Sequence, residues 1–253
     1  MRIASLGSGS RGNATLVQSG EITLLIDCGF GIRDALRRLA LLDVAPAEIT
    51  AILITHEHID HVRGVVALAR RYGLPLYMTA GSWLSLQPDP AVEVQLVTPE
   101  QTFGIGDIDI TPVTVPHDAR EPVQYLCEVS GRRLGLLTDL GVVTPHVLTR
   151  YRHCDALFIE CNHDPRMLEE GPYPPMLKRR VSGRLGHLSN RQAFDLLKAL
   201  GTDRLQRLVA SHLSEKNNLP ELARDALMPL LDGDPSRLVI ARQARPVAWQ
   251  TVN

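Results

Sequence analysis

Four metal-capable side chains, His56, His58, Asp60 and His61, fall within six residues of one another directly after the apolar run Ala51-Ile52-Leu53-Ile54-Thr55. In a tight loop, imidazoles two positions apart converge on one cation, while the adjacent Asp60 and His61 turn toward a second. Neutral imidazole and carboxylate suit Zn²⁺, Mn²⁺ or Fe. Comparable groups recur where other apolar runs give out: His117 after ITPVTVP, Asp139 after LGLLT and His212 after LQRLVAS. Open α/β sheets carry their ligand sites at the carboxyl ends of strands, so residues far apart in sequence can meet there. Five histidines and two aspartates make seven ligands. Seven exceed the needs of one four-coordinate ion and fit two divalent ions that share a carboxylate and a water.

The elements that must position these groups are legible as apolar runs of period two alternating with runs of helical period, which points to an α/β layered fold in one domain, residues 1–253. Strands are expected at 22–27, 49–55, 74–78, 92–97, 108–115, 156–160 and 206–211. The pair 123–129 and 133–138 flanks Ser130-Gly131, a hairpin signal. Helices are expected at 31–42, 61–73 with a glycine stop, 144–151, 189–200 capped by Ser189, and 220–231. The four-proline stretch 165–186 has no sustained period and reads as an ordered excursion or flap over a site, or else as a plain surface loop. The opening Gly7-Ser8-Gly9-Ser10-Arg11-Gly12-Asn13 satisfies GxGxxG, but a hairpin follows where a dinucleotide fold needs a helix. It is expected to be a tight loop bordering the metals. Ser8, Ser10 and Arg11 either shape that turn or hold a phosphate.

In this order, the HxHxDH loop, the later histidine, the aspartate and the late histidine resemble the metallo-β-lactamase superfamily of dinuclear hydrolases, across nearly the whole chain. The resemblance implies a four-layer αββα sandwich with metals at the edge between two sheets. It also implies that His56, His58 and His117 hold one ion, that Asp60, His61 and His212 hold the other, and that Asp139 bridges them. Asp27 matches the superfamily's early aspartate behind the histidine loop; a turn cap is its other reading. The set has no cysteine ligand, unlike many true β-lactamases, and it has His58 where flavodiiron reductases place Glu. Gly186-His187-Leu188-Ser189-Asn190 and Ser211-His212-Leu213-Ser214-Glu215-Lys216-Asn217-Asn218 resemble the late motifs of the phosphodiesterase branch, tRNase Z and PhnP. With the opening GSGSRGN they are closer still to the YycJ/WalJ group, regarded as nucleases with a proposed 5′-exonuclease activity on duplex DNA. The long tRNase Z arm is absent, and Glu160-Cys161-Asn162-His163-Asp164 departs from its tRNase Z counterpart.

The activity this implies is phosphodiester hydrolysis, of nucleic acid or of a small cyclic phosphate, by a hydroxide bridging two metals; lactone or thioester hydrolysis on the same ions is the rival. By position His187 resembles the histidine that contacts the scissile phosphate, and it is counted as catalytic together with Asp60. Lys178, Arg179, Arg180, Arg184 and Arg191 fall between Gly171 and Phe194 without one acidic residue, either as phosphate contacts or as a solvated face. His163 is either a support of the site or a satisfied strand-end residue, and His146 and His153 read as structural. The balance of 27 basic and 28 acidic residues, net −1, excludes a uniformly basic nucleic-acid coat, so a polyanion must use a local patch. No apolar run reaches a membrane span, and Cys28, Cys127, Cys154 and Cys161 are too scattered for a disulfide framework, which together suggest a cytoplasmic protein without a membrane partner.

Overall fold

Short apolar runs pair into two sheets in the computed structural model, which describes Met1–Asn253. The first six strands are β1 (Arg2–Gly7), β2 (Ala14–Ser19), β3 (Ile22–Ile26), β4 (Ala51–Leu53), β5 (Leu76–Met78) and β6 (Val94–Leu96). Then come β7 (Phe103–Ile105), β8 (Ile108–Thr114), β9 (Val123–Val129), β10 (Arg132–Leu137), β11 (Ala156–Glu160), β12 (Arg207–Ser211), β13 (Leu238–Ile240) and β14 (Val247–Thr251). One seven-stranded sheet runs β14-β1-β2-β3-β4-β5-β6, and the other runs β13-β12-β11-β10-β9-β8-β7. In each, antiparallel strands give way to a parallel run, β3 to β6 and β10 to β13. Parallel neighbours require crossovers. Helices α1 (Ile32–Ala40), α2 (Ile59–Val62), α3 (Val65–Tyr72) and α4 (Ala80–Leu86) serve the first sheet, and α5 (Pro145–Tyr151), α6 (Pro165–Glu170), α7 (Pro175–Val181), α8 (Asn190–Leu200) and α9 (Pro220–Leu227) the second.

Three apolar clusters define the layers. Leu6, Leu16, Leu25 and Ile52 of the first sheet pack outward on Ala35, Leu39, Val65 and Leu68 of α1 and α3. Leu137, Leu157, Ile159 and Leu208 of the second pack on Val147, Leu196, Leu197 and Leu227 of α5, α8 and α9. Between the sheets, Ile3, Val17, Leu24 and Leu53 meet Ile110, Tyr125, Leu136 and Phe158. Sheets buried on both faces read as near-continuous apolar runs, as β11 (ALFIE) does. The result is helix, sheet, sheet, helix, a four-layer αββα arrangement in which the strand ends of both sheets share one rim. No helix is long and apolar enough to cross a membrane.

Several local expectations need correction. The helix expected over 61–73 is two helices, because a Cβ at Gly64 would lie 2.1 Å from Phe30 O and the chain must pass that carbonyl closely. The stretch 165–186 is the ordered excursion rather than the plain surface loop, but with two helices in it: α6 and α7 each begin with a proline at the first helical position, where its missing N–H costs nothing. The last expected helix stops at Leu227, and a 3₁₀ turn carrying Pro229 follows. Strands β1, β7, β13 and β14 and helix α4 were not legible. The hairpin at Ser130-Gly131 has φ of 49° and 76° there, the paired positive values of a tight primed turn. Ser189 caps α8, its Oγ accepting from Gln192 N.

Candidate active site

Strand ends deliver the chemistry. Asp27 follows β3, Thr55 and His56 follow β4, His117 follows β8, Asp139 follows β10, Glu160 ends β11 and His212 follows β12. Asp27, Asp139 and His212 sit at φ of 60°, 53° and 56°, a left-handed conformation that generally costs a non-glycine residue roughly 1–2 kcal/mol. Such turns stop the strand and aim the side chain over the rim, and the surrounding hydrogen bonds hold them there. The ligand atoms of His56, His58 and His117 lie within 4.8 Å of one another, as do those of Asp60, His61 and His212, while Asp139 reaches His56 and His61 on one side and His187 and His212 on the other.

Outer hydrogen bonds decide which nitrogen each imidazole offers. Thr55 Oγ1 donates to Asp27 Oδ2 at 2.7 Å and accepts from His56 Nδ1 at 3.0 Å, so His56 Nε2 is the free one. His61 Nδ1 donates to Asp27 Oδ2 at 2.8 Å, and its Nε2 lies 3.2 Å from Asn13 Nδ2 and 3.1 Å from Asp139 Oδ2. His58 Nε2 donates to Asp118 O and His117 Nδ1 to Gly186 O, each at 3.2 Å. The bare His58 Nδ1 and His117 Nε2 then face each other at 3.3 Å, two lone pairs with no proton between them. His212 Nδ1 donates to Glu160 Oε1 at 2.8 Å. His56 Nε2 and Asp139 Oδ2 are buried without any hydrogen-bond partner. Metal-binding imidazoles characteristically tie their second N–H to a carboxylate or carbonyl; His58, His61, His117 and His212 do so, and His56 is tied to the Thr55 hydroxyl. Converging lone pairs and orphaned buried acceptors fit cations.

The charges of the metal-free cluster agree. Burial pushes His56 well below its ordinary range, and the neighbouring imidazoles add to this against Asp139. Burial also opposes a charge on His61, but Asp139 and Asp27 outweigh it and hold that imidazole well above its usual range. For His212 the same contest, settled by Asp139, Asp60 and Glu160, ends at about 10. Burial disfavours the Asp139 carboxylate, yet His212 and His61 keep it well below its usual value.

Glu160 escaped the sequence reading. This fully buried carboxylate accepts His187 Nδ1 and His212 Nδ1 on Oε1, both at 2.8 Å, and Leu140 N and Leu188 N on Oε2 at 2.9 and 3.0 Å. One side chain thereby orients a ligand, the neighbouring His187 and the turn after Asp139. Burial works against its charge, but His187 and His212 bring its pKa down to about 2. In return, burial lowers His187 less than Glu160 raises it, so this imidazole stands above its ordinary range. The missed signal was the one used for Asp27 and Asp139, an acid closing an apolar strand. His163 is buried with no partner on Nδ1, and burial takes it down to about 4.

A cavity of about 340 Å³ opens over these groups, lined by His58, Asp60, Asp139, His187 and His212, by Ser10, and by Tyr173, Leu177, Arg180 and Val181 from the 165–186 stretch. The residues expected to touch substrate are scattered around it. Ser8 is buried, donating to Asn13 Oδ1 at 2.9 Å and accepting from His212 N at 2.8 Å, so its hydroxyl is committed within the protein. Ser10 reaches the cavity. Arg11 turns away to Glu215 at 2.7 Å. The glycine loop is packed on the chain's own Gln243: a Cβ at Gly9, φ 148°, would lie 2.9 Å from Gln243 Oε1, which also accepts from Arg11 N at 2.8 Å. Of the basic run only Arg180 lines the cavity, paired with Asp118 Oδ2 at 2.7 Å. Lys178 Nζ donates to Glu169 O, Arg191 pairs with Asp195, and Arg179 and Arg184 are exposed outside the lining.

Comparison with known proteins places this geometry. A family model described as "Beta-lactamase superfamily domain" matches residues 23–213. The chain is 35% identical over 240 residues to exodeoxyribonuclease YycJ of Bacillus anthracis, covering 92% of this chain and 89% of that protein. To exodeoxyribonuclease WalJ of Streptococcus pneumoniae it is 36% identical over 225 residues, 86% of this chain and 83% of the other. Among solved structures, the metallo-beta-lactamase fold protein YhfI from Bacillus subtilis superposes with a TM-score of 0.76 over 97% of this chain and 98% of its own, at 18% identity, a likeness of fold.

Proposed function

The chain belongs to the beta-lactamase superfamily and is a hydrolase of the metallo-β-lactamase fold, and from that premise we propose that it is a dinuclear phosphodiesterase acting on the 5′ end of a DNA strand. The observation that carries the reading is the meeting of two ligand triads, His56–His58–His117 and Asp60–His61–His212, at Asp139, beside a histidine that belongs to neither. The two relatives named exodeoxyribonucleases support DNA as the substrate.

Bound to the two triads and Asp139, two divalent ions would supply a shared water of lowered pKa and would neutralise charge gathering on the phosphoryl oxygens. The protein's own groups do the rest. His187, held by Glu160 and raised above its ordinary range, presents a protonated Nε2 on the cavity side and gives that proton to the leaving oxygen. Asp60 lines the same cavity. Burial disfavours its charge, but His212 and His61 hold its carboxyl below the usual range, so it is an anionic acceptor for a proton from the attacking water. Asp139 keeps the triads in register. Arg180 stands where it can exchange Asp118 for a phosphate oxygen.

The cavity volume favours a second reading, a small cyclic phosphate, which fits whole into about 340 Å³. A panel of 5′-labelled duplex DNA, single strands, RNA, a cyclic phosphate, a thioester and a lactone, each with Mn²⁺ and Zn²⁺, separates the two. The expected result is release of nucleotides from the labelled duplex end. Turnover of the cyclic phosphate alone transfers the site to the second reading, and turnover confined to thioester or lactone overturns both.

A further inference from the structure

The cavity has an apolar share that phosphate chemistry does not require. Ile59, Tyr173, Leu177 and Val181 line it alongside the histidines and carboxylates. Ile59 stands between two ligands yet is 63% exposed, and Met176 and Leu185, in the stretch over the cavity, are 74% and 52% exposed. Within the cavity itself, Ile59, Leu177 and Val181 offer an apolar wall against which an apolar part of a ligand can dock.

Tyr173 is the member of this set built for the purpose. It lies in Gly171-Pro172-Tyr173-Pro174-Pro175, between α6 and α7. Prolines on both sides fix their own φ and restrict the residue before them, so the ring is held with little freedom left to lose. Lys216 Nζ lies 6.0 Å from the ring centroid. A half-buried aromatic ring and an arginine lining one cavity, with a lysine near the ring, form the combination by which proteins hold a single-stranded nucleotide. The dimensions agree: about 340 Å³ is at the small end for ligand sites, on the scale of a small molecule rather than a macromolecular groove.

We infer that Tyr173, Leu177, Val181 and Ile59 form a nucleobase subsite in which Tyr173 stacks on the base of the nucleotide whose 5′-phosphate is attacked, after that base has left its pair. The inference rests on the phosphodiesterase reading above and adds that the enzyme takes its substrate one splayed nucleotide at a time. Unpairing costs least at a mismatch, so duplexes with a mismatched terminal pair are cut faster than paired ones.

The test compares thymidine 5′-(p-nitrophenyl phosphate) with methyl p-nitrophenyl phosphate, two esters with the same leaving group, on Mn²⁺-loaded protein. Wild type favours the thymidine ester in kcat/KM by roughly 5- to 150-fold, the range one base–aromatic stack supplies. The ratio falls toward one in Tyr173→Ala and is kept in Tyr173→Phe. Inhibition gives a readout without turnover: thymidine 5′-monophosphate inhibits wild type more strongly than deoxyribose 5-phosphate, and Tyr173→Ala loses the difference. A ratio equal in wild type and Tyr173→Ala overturns the subsite while leaving the phosphodiesterase reading intact. Failure of wild type to cut either ester or DNA overturns that reading and the subsite with it.

Discussion

His187 and His212 share one carboxylate oxygen of Glu160, which in the proposed function would tie proton delivery to metal binding. His187→Ala should keep both ions and lower kcat by roughly 10²- to 10⁴-fold, the usual worth of a positioned general acid. Glu160→Gln should do more, because an amide nitrogen turned toward either side meets N–H donors it cannot accept. Metal analysis should find affinity at the His212 triad reduced about 10- to 100-fold. The sign of the pH effect follows from the cause. Glu160 raises His187, so removing its charge lowers the imidazole pKa, and the alkaline limb of the kcat profile should move to lower pH; a limb that stays in place detaches Glu160 from proton transfer. Metal uptake has its own proton linkage. His61 and His212 stand above their ordinary range in the metal-free protein, His212 at about 10, and each must give up a proton to become a ligand. Titration calorimetry in buffers of different ionisation enthalpy should therefore show proton release at pH 7.5, and apparent affinity should rise with pH until about 10, where His212 is already neutral.

At the scale of elements, the 165–186 stretch supplies Tyr173, Leu177, Arg180 and Val181 to the cavity. Its prolines suggested irregularity, because the two helices they start are too short to show a period. Its basic residues read as one patch, yet helical geometry sends them in different directions, so that only Arg180 lines the cavity. The two roles separate by mutation. Neutralising Lys178 and Arg179 should flatten the salt dependence of log K for duplex DNA by up to about 2 units of slope and leave small phosphodiesters nearly untouched. Arg180→Ala should impair both substrates. Equal effects of the double and single changes on a small ester would place all three residues in the cavity. Other elements were legible for plain reasons: the Ser130-Gly131 turn needs positive φ, and Ser189 offers its hydroxyl to α8. Strands β13 and β14 were not, being short, half-exposed or interrupted in pattern.

Across the whole molecule, the seven polar residues marked after strands β4, β8, β10 and β12, four of them in the loop and short helix that follow β4, are brought within reach of one another because two buried sheets present their strand ends on one rim. That much could be read from where apolar runs stop. The four cysteines, read as reduced thiols, are all free and buried, and burial pushes Cys28, Cys127 and Cys154 up to about 12. What the sequence could not show was which neighbours satisfy a group once folded. Ser8 and Arg11 sit in the loop expected to meet phosphate, but His212 N and Glu215 engage them, and Gln243, far along the chain, fills the glycine turn. Such pairings depend on tertiary placement that no local pattern encodes. The central claim is that two ions held about Asp139 cut a phosphodiester. Its most direct test is a titration of metal-free protein with Mn²⁺, following nucleotide release from 5′-labelled duplex DNA at each addition. Activity is expected to level off at about two ions per chain; a plateau at one, or no cleavage of DNA at any loading, contradicts a dinuclear DNA-cutting site.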